Sequence, residues 1–353
     1  MTQTCIGWDV GGAHLKAVLI DTTGRVLAAR QVYCPLWRGL HELQSAIDIV
    51  LLNFNANQHA VTMTGELADI FANRREGVMQ IADTLASKLT GCVRYYAGNH
   101  GFVNADCVEQ YITDIASMNW LASVQYVAQN VQKALFIDIG STTTDIALIN
   151  NAKPLVQGFT DAARMQRDEL VYTGVVRTPL MALAQKIQFA GQQTNVAAEH
   201  FATTADVYTL TGDLIPSENM AETADGAEKS IQASACRIAR MVGCDAQDAA
   251  ITSWGQLAYA FKQAQLSQIK QAALSQLSLL QDCSSLLVVG AGAGSFLAAE
   301  LAQQLGFDYL AVTELILSDN DESKNMAAVC FPAYAVACLD VKESGTKDSG
   351  ANP

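Results

Sequence analysis

Short apolar segments separated by turn residues open the chain, and this spacing is typical of β-strands joined in a meander. Glycines, or the turn sequence Asp21-Thr22-Thr23-Gly24, stand between the first three segments. Further along, apolar residues recur at the spacing of one helix face, which predicts helices. The predicted elements are strands over 5–10, 15–20 and 26–32, a helix over 41–52, a strand running into a loop over 61–65, and a helix over 77–89.

The opening pattern returns near the middle of the chain. Residues 135–139 and 144–149 are predicted strands, and a turn of glycine, serine and threonines separates them. In both places an apolar strand presents one aspartate, Asp9 or Asp138, just before a glycine turn. This internal repeat has the size of a domain, so it differs from the short period of a solenoid.

The repeat predicts an α/β protein with two domains. We place the first domain at residues 1–134 and the second at 135–342. Two domains also suit the length, because 353 residues exceed what one compact core usually takes. The polar tail, 343–353, is expected to be disordered.

The second half of the chain alternates polar and apolar stretches. Residues 199–225 are rich in threonine and aspartate, which favours loops that line the second domain. The remaining predictions are helices over 231–242, 254–280, 295–305 and 326–339, and a strand over 286–289.

Composition and charge narrow the class of partner. The net charge is −13 and lysines and arginines form no cluster, which argues against a nucleic-acid partner. The longest apolar run, 326–339, is too short for a membrane span and contains Pro332. Asp9 and His14 interrupt the first apolar stretch, so no signal peptide is expected. The nine cysteines form no C-x-x-C pair, which favours reduced core residues in a cytoplasmic protein over a disulfide framework.

The first candidate motif runs from Asp9 to Lys16. Its paired glycines leave N–H groups that can point at an anion without a side chain in the way. Asp9 at the strand end can hold a metal ion directly or through water. We predict phosphate binding at Gly11, Gly12, His14 and Lys16, with an ordinary hairpin turn as the alternative.

The second candidate motif begins at Asp138. Again a carboxylate precedes a glycine, and here the turn also carries hydroxyl groups that suit phosphate oxygens. We predict phosphate binding at Gly140, Ser141, Thr142 and Thr143; a polar turn whose hydroxyls cap the backbone is the alternative. Two such hairpins facing each other can clamp one phosphate chain and its metal.

A third motif, G-x-G-x-G, follows the predicted strand 286–289. Gly290, Gly292 and Gly294 precede a helix, as in a nucleotide-binding loop. A Rossmann site is disfavoured, because such a site needs an early βαβ unit and a later acidic residue. The motif fits a loop under an adenosine or a similar group, with tight strand–helix packing as the alternative.

In this order, the three motifs resemble the actin-like ATPase superfamily of actin, sugar kinases and Hsp70. The resemblance covers nearly the whole chain and implies two ribonuclease-H-like domains with a cleft between them. It also implies Mg²⁺ or another divalent metal at Asp9 and Asp138. One departure is His14, which stands where these proteins usually have threonine or serine; this argues against ordinary ATP hydrolysis, so ATP is allowed but not required.

Longer segments give a narrower resemblance. Residues 7–16, 62–69 and 201–208 are similar to hydantoinase/oxoprolinase-related proteins of tetrahydromethanopterin-linked one-carbon metabolism. These proteins resemble the archaeal enzyme of methanofuran biosynthesis. That enzyme joins an aminomethyl-furan methyl diphosphate to the phenol of γ-glutamyltyramine and releases diphosphate.

The resemblance implies a transferase, and individual residues can be given roles in the transfer reaction. Asp9 and Asp138 would hold a metal against the leaving diphosphate. Glu66, at the end of a predicted strand, is the candidate base or metal-water ligand; capping the next helix is the alternative. The backbone N–H groups expected to bind developing charge are those of Gly11, Gly12, Gly140 and Ser141.

Other residues are candidates for substrate binding. Arg177 can bind the glutamyl carboxylates, unless it is only a surface arginine of a turn. Thr204 and Asp206 can line the pocket or cap helices. Tyr95 and Tyr96 can stack on a ring, although core packing is favoured.

Two other function classes stay open from the sequence. One is an ATP-dependent kinase or an oxoprolinase-like hydrolase, and the other is a non-catalytic nucleotide-binding scaffold. The expected partner is a small phosphorylated molecule, with no nucleic acid and no membrane, and a homodimer is left open.

Overall fold

A computed structural model of the protein describes residues 4–349, with side chains through residue 345. The chain divides into two units, each with its own central sheet. The first unit contains the described residues up to 133, residues 149–155 and the residues from 311 onward. The second unit contains residues 134–148 and 156–310.

Apolar segments alternating with turns form the strands, most of them short. They are β1 (Thr4–Val10), β2 (His14–Asp21), β3 (Val26–Tyr33), β4 (Gln58–Met63), β5 (Cys92–Tyr96), β6 (Phe102–Asn104), β7 (Lys133–Ile139), β8 (Thr144–Asn150), β9 (Lys153–Leu155), β10 (Leu170–Val171), β11 (Lys186–Phe189), β12 (Gln192–Asn195), β13 (Leu287–Ala291) and β14 (Asp308–Ala311).

The α-helices cover the sheets and connect their strands. They are α1 (Leu40–Leu51), α2 (Arg74–Lys88), α3 (Ile112–Ile115), α4 (Asn119–Ala128), α5 (Asp161–Met165), α6 (Thr204–Thr211), α7 (Ile231–Arg240), α8 (Ile251–Leu277), α9 (Ser295–Leu305), α10 (Asp321–Val329) and α11 (Phe331–Ser349).

The sheet of the first unit has the order β3-β2-β1-β4-β5-β6. Strands β1, β2 and β3 pair antiparallel, and β4 pairs parallel with both β1 and β5. Strand β1 lies at the centre, so Ile6, Trp8 and Val10 are fully buried in the core of this unit. The central position of β1 fixes the residues at its end, including Asp9.

The sheet of the second unit has the order β10-β8-β7-β13-β14. When only the strands of each sheet are numbered in chain order, the first sheet has the order 3-2-1-4-5-6 and the second has the order 3-2-1-4-5. The two sheets therefore share one strand order over five strands. Leu135, Ile137 and Ile139 of β7 are buried in this unit's core, together with residues of the long helix α8.

The predicted division of the chain needs a correction at its C-terminal end. The sequence assigned residues 135–342 to the second domain, whereas the residues from 311 onward belong to the first unit. Helix α11 packs on β1, β2 and β4, and the backbone of Gly7 in β1 lies directly against Ala333 of α11. This packing joins residues that are more than 300 positions apart, which no local pattern predicts.

Three other expectations differ from the structure. The stretch 199–225, predicted as loops, contains helix α6. The helix predicted over 326–339 is two helices, because α10 ends at Val329 and α11 begins at Phe331, with Pro332 in its first turn where its missing N–H is tolerated. The predicted disordered tail is helical through Ser349, and residues 350–353 lie outside the described residues.

Among the described helices, none combines the length and the apolar character that a bilayer span requires. The nine cysteines all lie in the described part of the chain, and all are free thiols there. Three of them, Cys5, Cys34 and Cys330, are buried, whereas Cys92 is exposed. The prediction of reduced cysteines is confirmed, but only some of these cysteines belong to the core.

Candidate functional site

The first glycine turn, Gly11 and Gly12, joins β1 to β2. The N–H of Gly11 donates to the carbonyl oxygen of His14 at 3.0 Å and closes the turn. A Cβ added to Gly11 would lie 2.9 Å from that oxygen, whereas a Cβ on Gly12 would meet nothing within 4 Å. The Gly11 N–H is therefore used inside the turn, and Gly12 is the more open position; phosphate binding at this turn stays a prediction.

Asp9 is the penultimate residue of β1 and is only 4% exposed. Its Oδ1 accepts a hydrogen bond from Nδ2 of Asn119 at 3.3 Å. In the sheet register Asp9 lies opposite Thr62 of β4, whose buried hydroxyl has no hydrogen-bond partner in the described part of the chain. A carboxylate beside an unsatisfied hydroxyl suits a hydrated cation, because buried polar groups are rarely left unpaired.

His14 and Lys16 follow the turn on β2. Lys16 pairs with Asp9 across the β1–β2 ladder, so the two side chains lie on the same face of the sheet. His14 is buried, and its ring makes an edge contact with Tyr33, with the ring centroids 6.0 Å apart. Lys16 is thus the better placed of the two for a phosphate oxygen near Asp9.

Glu66 follows β4 and lies beside the end of β1. The N–H of Thr64 donates to the carbonyl oxygen of Val10 at 2.9 Å, which ties this segment to the first glycine turn. Glu66 is only 1% exposed, and its Oε1 accepts a hydrogen bond from the hydroxyl of Ser117 at 2.6 Å. Helix α2 is capped by Asn73, so the alternative that Glu66 caps that helix is wrong.

The second glycine turn consists of Gly140, Ser141, Thr142 and Thr143 and joins β7 to β8. The N–H of Gly140 donates to the carbonyl oxygen of Thr143 at 2.9 Å, so this N–H, like that of Gly11, closes its own turn. A Cβ on Gly140 would meet only that oxygen, at an ordinary 3.6 Å. Of the four N–H groups that the sequence predicts for phosphate binding, those of Gly11 and Gly140 are thus bonded within their own turns, and the phosphate prediction itself is not tested by these contacts.

The glycine-rich loop after β13 packs against the second turn. Strand β13 pairs parallel with β7, and Ala291 lies opposite Asp138. Gly292 has a positive φ of 77°, and a Cβ there would lie 2.8 Å from the carbonyl carbon of Ile139. Gly294 donates its N–H to the oxygen of Ile139 at 2.9 Å. Close packing against β7 therefore explains why Gly292 and Gly294 are glycines. Nucleotide binding by the loop stays a prediction.

A loop around Gly174 packs against the second glycine turn. A Cβ on Gly174 would lie 2.5 Å from the carbonyl carbon of Ser141, so only glycine fits. The N–H groups of Val176 and Arg177 both donate to the oxygen of Ser141, at 3.1 and 2.8 Å. Arg177 is exposed, so this loop presents a guanidinium next to the second turn.

Thr204 and Asp206 are engaged within the second unit. The Thr204 hydroxyl donates to the oxygen of Gly174 at 2.8 Å, and Asp206 closes a capping box with Thr203 at the start of α6. Asp206 also accepts from Nε of the fully buried Arg237 at 2.7 Å. Burial raises the pKa of Asp206, against the opposing effects of the Thr203 N–H and Arg237. These contacts favour support of the turn, and direct substrate binding by either residue stays a prediction.

Tyr95 and Tyr96 are buried in the first unit. Burial raises the pKa of both phenols far above the ordinary value. Tyr95 donates to the carbonyl oxygen of Ala82 at 3.2 Å. These two rings therefore belong to the core, as the favoured interpretation of their sequence predicts.

No group of three or more histidine, cysteine, aspartate or glutamate side chains in residues 4–345 is arranged to hold a metal ion. A site made wholly of protein ligands is thus not formed there. Magnesium commonly binds through one or two carboxylates and the phosphate oxygens of the substrate. Asp9, with the unsatisfied Thr62 hydroxyl beside it, fits that kind of site.

Sequence reasoning missed the residues that hold the candidate carboxylates. Ser117 and Asn119 contact Glu66 and Asp9 from a segment more than 50 positions along the chain from Glu66. Sequence reasoning also gave no role to Gly174, which packs against Ser141. A serine or asparagine within an apolar stretch carries no local signal of such a contact.

The chain matches the family model described as hydantoinase/oxoprolinase over residues 57–318. Two curated archaeal proteins that resemble it share one description, (4-{4-[2-(gamma-L-glutamylamino)ethyl]phenoxymethyl}furan-2-yl)methanamine synthase. The protein from Methanocaldococcus jannaschii is 33% identical over 243 residues, 68% of this chain and 72% of that protein. The protein from Methanococcus vannielii is 36% identical over 122 residues, 34% of this chain and 54% of that protein.

A solved structure from a study of ATP-dependent acetone carboxylation, the nucleotide-free acetone carboxylase, is similar in fold. It superposes with a TM-score of 0.57 at 12% sequence identity and covers 96% of this chain and 70% of that one. At this identity the likeness concerns the fold alone. With the strand order of the two sheets, it confirms the predicted α/β fold of two ribonuclease-H-like domains.

Proposed function

Because the chain belongs to the hydantoinase/oxoprolinase family, and two archaeal synthases resemble it over one to two thirds of its length, we propose that it is a transferase that alkylates a phenol with a furan-methyl group. The donor is an aminomethyl-furan methyl diphosphate, and the acceptor is the phenol of γ-glutamyltyramine. The product belongs to the biosynthesis of a methanofuran-type cofactor.

The product described for the archaeal relatives contains a phenoxymethyl link to a furan. Making this link forms a bond between the phenol oxygen and the furan-methyl carbon. The bond between that carbon and the diphosphate oxygen breaks, and its electron pair leaves with the diphosphate. The phenol proton goes to a base, so the step needs an anion site and a proton acceptor and no oxidant.

The observation that carries the proposal is the open backbone at Gly12 beside the buried carboxylate of Asp9. A ligand can reach this turn without meeting a side chain, since a Cβ at Gly12 would contact nothing within 4 Å. Lys16, across from Asp9, adds a positive charge on the same face. Fixed donors of this kind stabilise charge that builds on a leaving group.

Asp9 would hold a divalent cation together with the diphosphate oxygens, and the cation would neutralise part of the charge of the leaving group. Asp138 is the matching carboxylate in the second unit. Ser141 and the neighbouring Arg177 would contact anionic groups of the substrates, either phosphate or the glutamyl carboxylate.

Glu66 is the proposed proton acceptor. Its carboxylate is withdrawn from solvent and oriented by the Ser117 hydroxyl. A general base must be held in a fixed direction toward the proton that it removes. The hydrogen bond from Ser117 to Oε1 supplies that orientation.

The alternative functions are a kinase or oxoprolinase-like hydrolase, and a nucleotide-binding scaffold. The archaeal relatives, described as synthases, do not favour them. The three functions differ in what is released, because only the transferase produces diphosphate without consuming ATP.

The test is an assay with both substrates in which diphosphate and ADP are measured together. We expect diphosphate release that depends on the acceptor phenol and on Mg²⁺, with no ADP. Asp9→Asn and Asp138→Asn should each abolish release while circular dichroism shows a folded protein. Full activity in either variant, or ADP formation by the wild type, would overturn the proposal.

A further inference from the structure

A single short segment, residues 116–119, contacts both candidate carboxylates of the first unit. The hydroxyl of Ser117 donates to Oε1 of Glu66 at 2.6 Å. Two residues later, Nδ2 of Asn119 donates to Oδ1 of Asp9 at 3.3 Å. Asp9 lies on β1 and Glu66 follows β4, so this segment contacts side chains near the ends of two neighbouring strands.

The segment is held firmly in place. Ala116 forms a β-bridge with Met63, the last residue of β4, directly before the stretch that carries Glu66. Asn119 is the first residue of α4, and its Oδ1 accepts from the N–H of Trp120 at 2.7 Å. This second bond fixes the orientation of the Asn119 amide, so its NH₂ group faces Asp9.

Ser117 has a backbone conformation that a serine rarely adopts. Its φ is 57°, in the left-handed region that favours glycine, and the residue is buried. A glycine would fit this backbone without strain but would lack the hydroxyl that reaches Glu66. The serine therefore supplies a contact that the easier residue cannot make.

A guanidinium also reaches the same hydroxyl. Nη1 of Arg74, the first residue of α2, donates to Oγ of Ser117 at 3.3 Å. With its oxygen accepting from Arg74, the Ser117 hydroxyl has its proton directed at Glu66. The hydrogen bond to the carboxylate is thereby fixed in one direction.

We propose that residues 116–119 form a positioning loop with two separable roles. Through Ser117 the loop orients Glu66 for the removal of the phenol proton. Through Asn119 it orients Asp9 for a cation bound to diphosphate. The inference rests on the proposed function, but the Asn119 role can be measured without turnover.

The experiment compares four variants of the full chain. Ser117→Gly removes the hydroxyl and suits the backbone, and Ser117→Ala removes the hydroxyl but keeps the strain. Asn119→Ala removes the contact with Asp9. The matched control is Ser123→Ala, which removes another buried hydroxyl of the same region, one that donates only to the backbone oxygen of Asn119.

Two quantities are measured for each variant: kcat for diphosphate release, and the Kd of inorganic pyrophosphate with Mg²⁺ by calorimetry. For Ser117→Gly and Ser117→Ala we expect kcat to fall about 10- to 100-fold, the range for one hydrogen bond to a charged group, with Kd unchanged. Asn119→Ala should weaken pyrophosphate binding about 10-fold or more. Ser123→Ala should change neither quantity by more than about twofold.

The outcomes separate this inference from the proposed function. If Ser117→Gly keeps its kcat, or if Ser123→Ala loses as much, the positioning role is overturned and the transferase proposal stands. If the wild type releases no diphosphate, the transferase proposal fails, and pyrophosphate binding by Asn119→Ala still decides the Asp9 role. Equal Kd values for Asn119→Ala and the wild type would overturn that role.

Discussion

The packing of the protein requires glycine at some positions and not at others. The space around each glycine distinguishes the two cases. A Cβ at Gly12 meets nothing within 4 Å, whereas at Gly174 it would lie 2.5 Å from the carbonyl carbon of Ser141. Gly174 is required by the fold, because the protein backbone occupies the place of a side chain. Nothing in the protein's own packing requires Gly12, so the backbone of this turn is open to a ligand.

Gly12→Ala tests this distinction directly. The variant should fold with an unchanged free energy of unfolding, because the methyl group has room. Its affinity for Mg²⁺-pyrophosphate, measured by calorimetry, should fall at least about 10-fold because the methyl group blocks the approach to the backbone. Gly255→Ala in helix α8, also with open space, is the control: it should gain roughly 0.5–1 kcal/mol of stability and keep the affinity. Unchanged affinity in Gly12→Ala would contradict the assignment.

Gly174→Ala should behave in the opposite way. The added methyl group clashes with the second glycine turn, so we expect a loss of about 1–3 kcal/mol in the free energy of unfolding. Chemical denaturation measures this loss. A stability equal to that of the wild type would show that the loop can move away from Ser141 without cost.

At the scale of elements, helix α6 shows why a stretch rich in polar residues can form a buried helix that the sequence does not predict. The sequence of residues 199–225 favours loops by its threonines and aspartates. In the structure Asp206 caps α6 and bonds Arg237 of α7, while Val207 and Tyr208 are buried in the core of the second unit. The polar side chains face inward to partners that only the tertiary fold supplies, so composition alone predicted the wrong element.

Asp206→Ala should cost about 1.5–3 kcal/mol of unfolding free energy, because it removes a buried charged hydrogen bond to Arg237 while the ion pair between Arg237 and Asp225 remains. The comparison is Arg240→Ala, which removes an exposed pair with Asp225 and should cost at most about 1 kcal/mol. Thermal and urea unfolding of both variants measure the two losses. Similar small losses would mean that solvent reaches Arg237 in the variant.

At the scale of the whole molecule, the sequence predicted more than local elements. Both hairpins, the aspartate before each turn and the helix over residues 295–305 lie where their patterns placed them. These features depend on neighbours along the chain. The packing of helix α11 on the sheet of the first unit depends on contacts between residues that are distant in sequence. The pattern of apolar residues along the chain therefore does not predict this packing. That both turns bind the same ligand stays a prediction.

Gly7→Ala tests the packing of α11 on β1. The new methyl group would overlap the carbonyl oxygen of Ala333 and lie 2.8 Å from the Cβ of Ala337, so the helix must shift or detach. We expect a lower and broader thermal transition, with a loss of at least about 1–3 kcal/mol. Gly345→Ala, farther along α11 in open space, should be neutral or slightly stabilising. An unchanged transition for Gly7→Ala would contradict this packing.

The close contact between Gly7 and Ala333 also has a consequence for the order in which the two units fold during protein synthesis. The ribosome makes β1 more than 300 residues before α11, so at typical rates roughly tens of seconds separate the two. Throughout that interval the apolar face that α11 will cover is exposed on the nascent chain. Every strand of the second unit's sheet is translated before α11 is complete, so the second unit can finish folding before the first unit. The first unit therefore completes its packing only after α11 has been made.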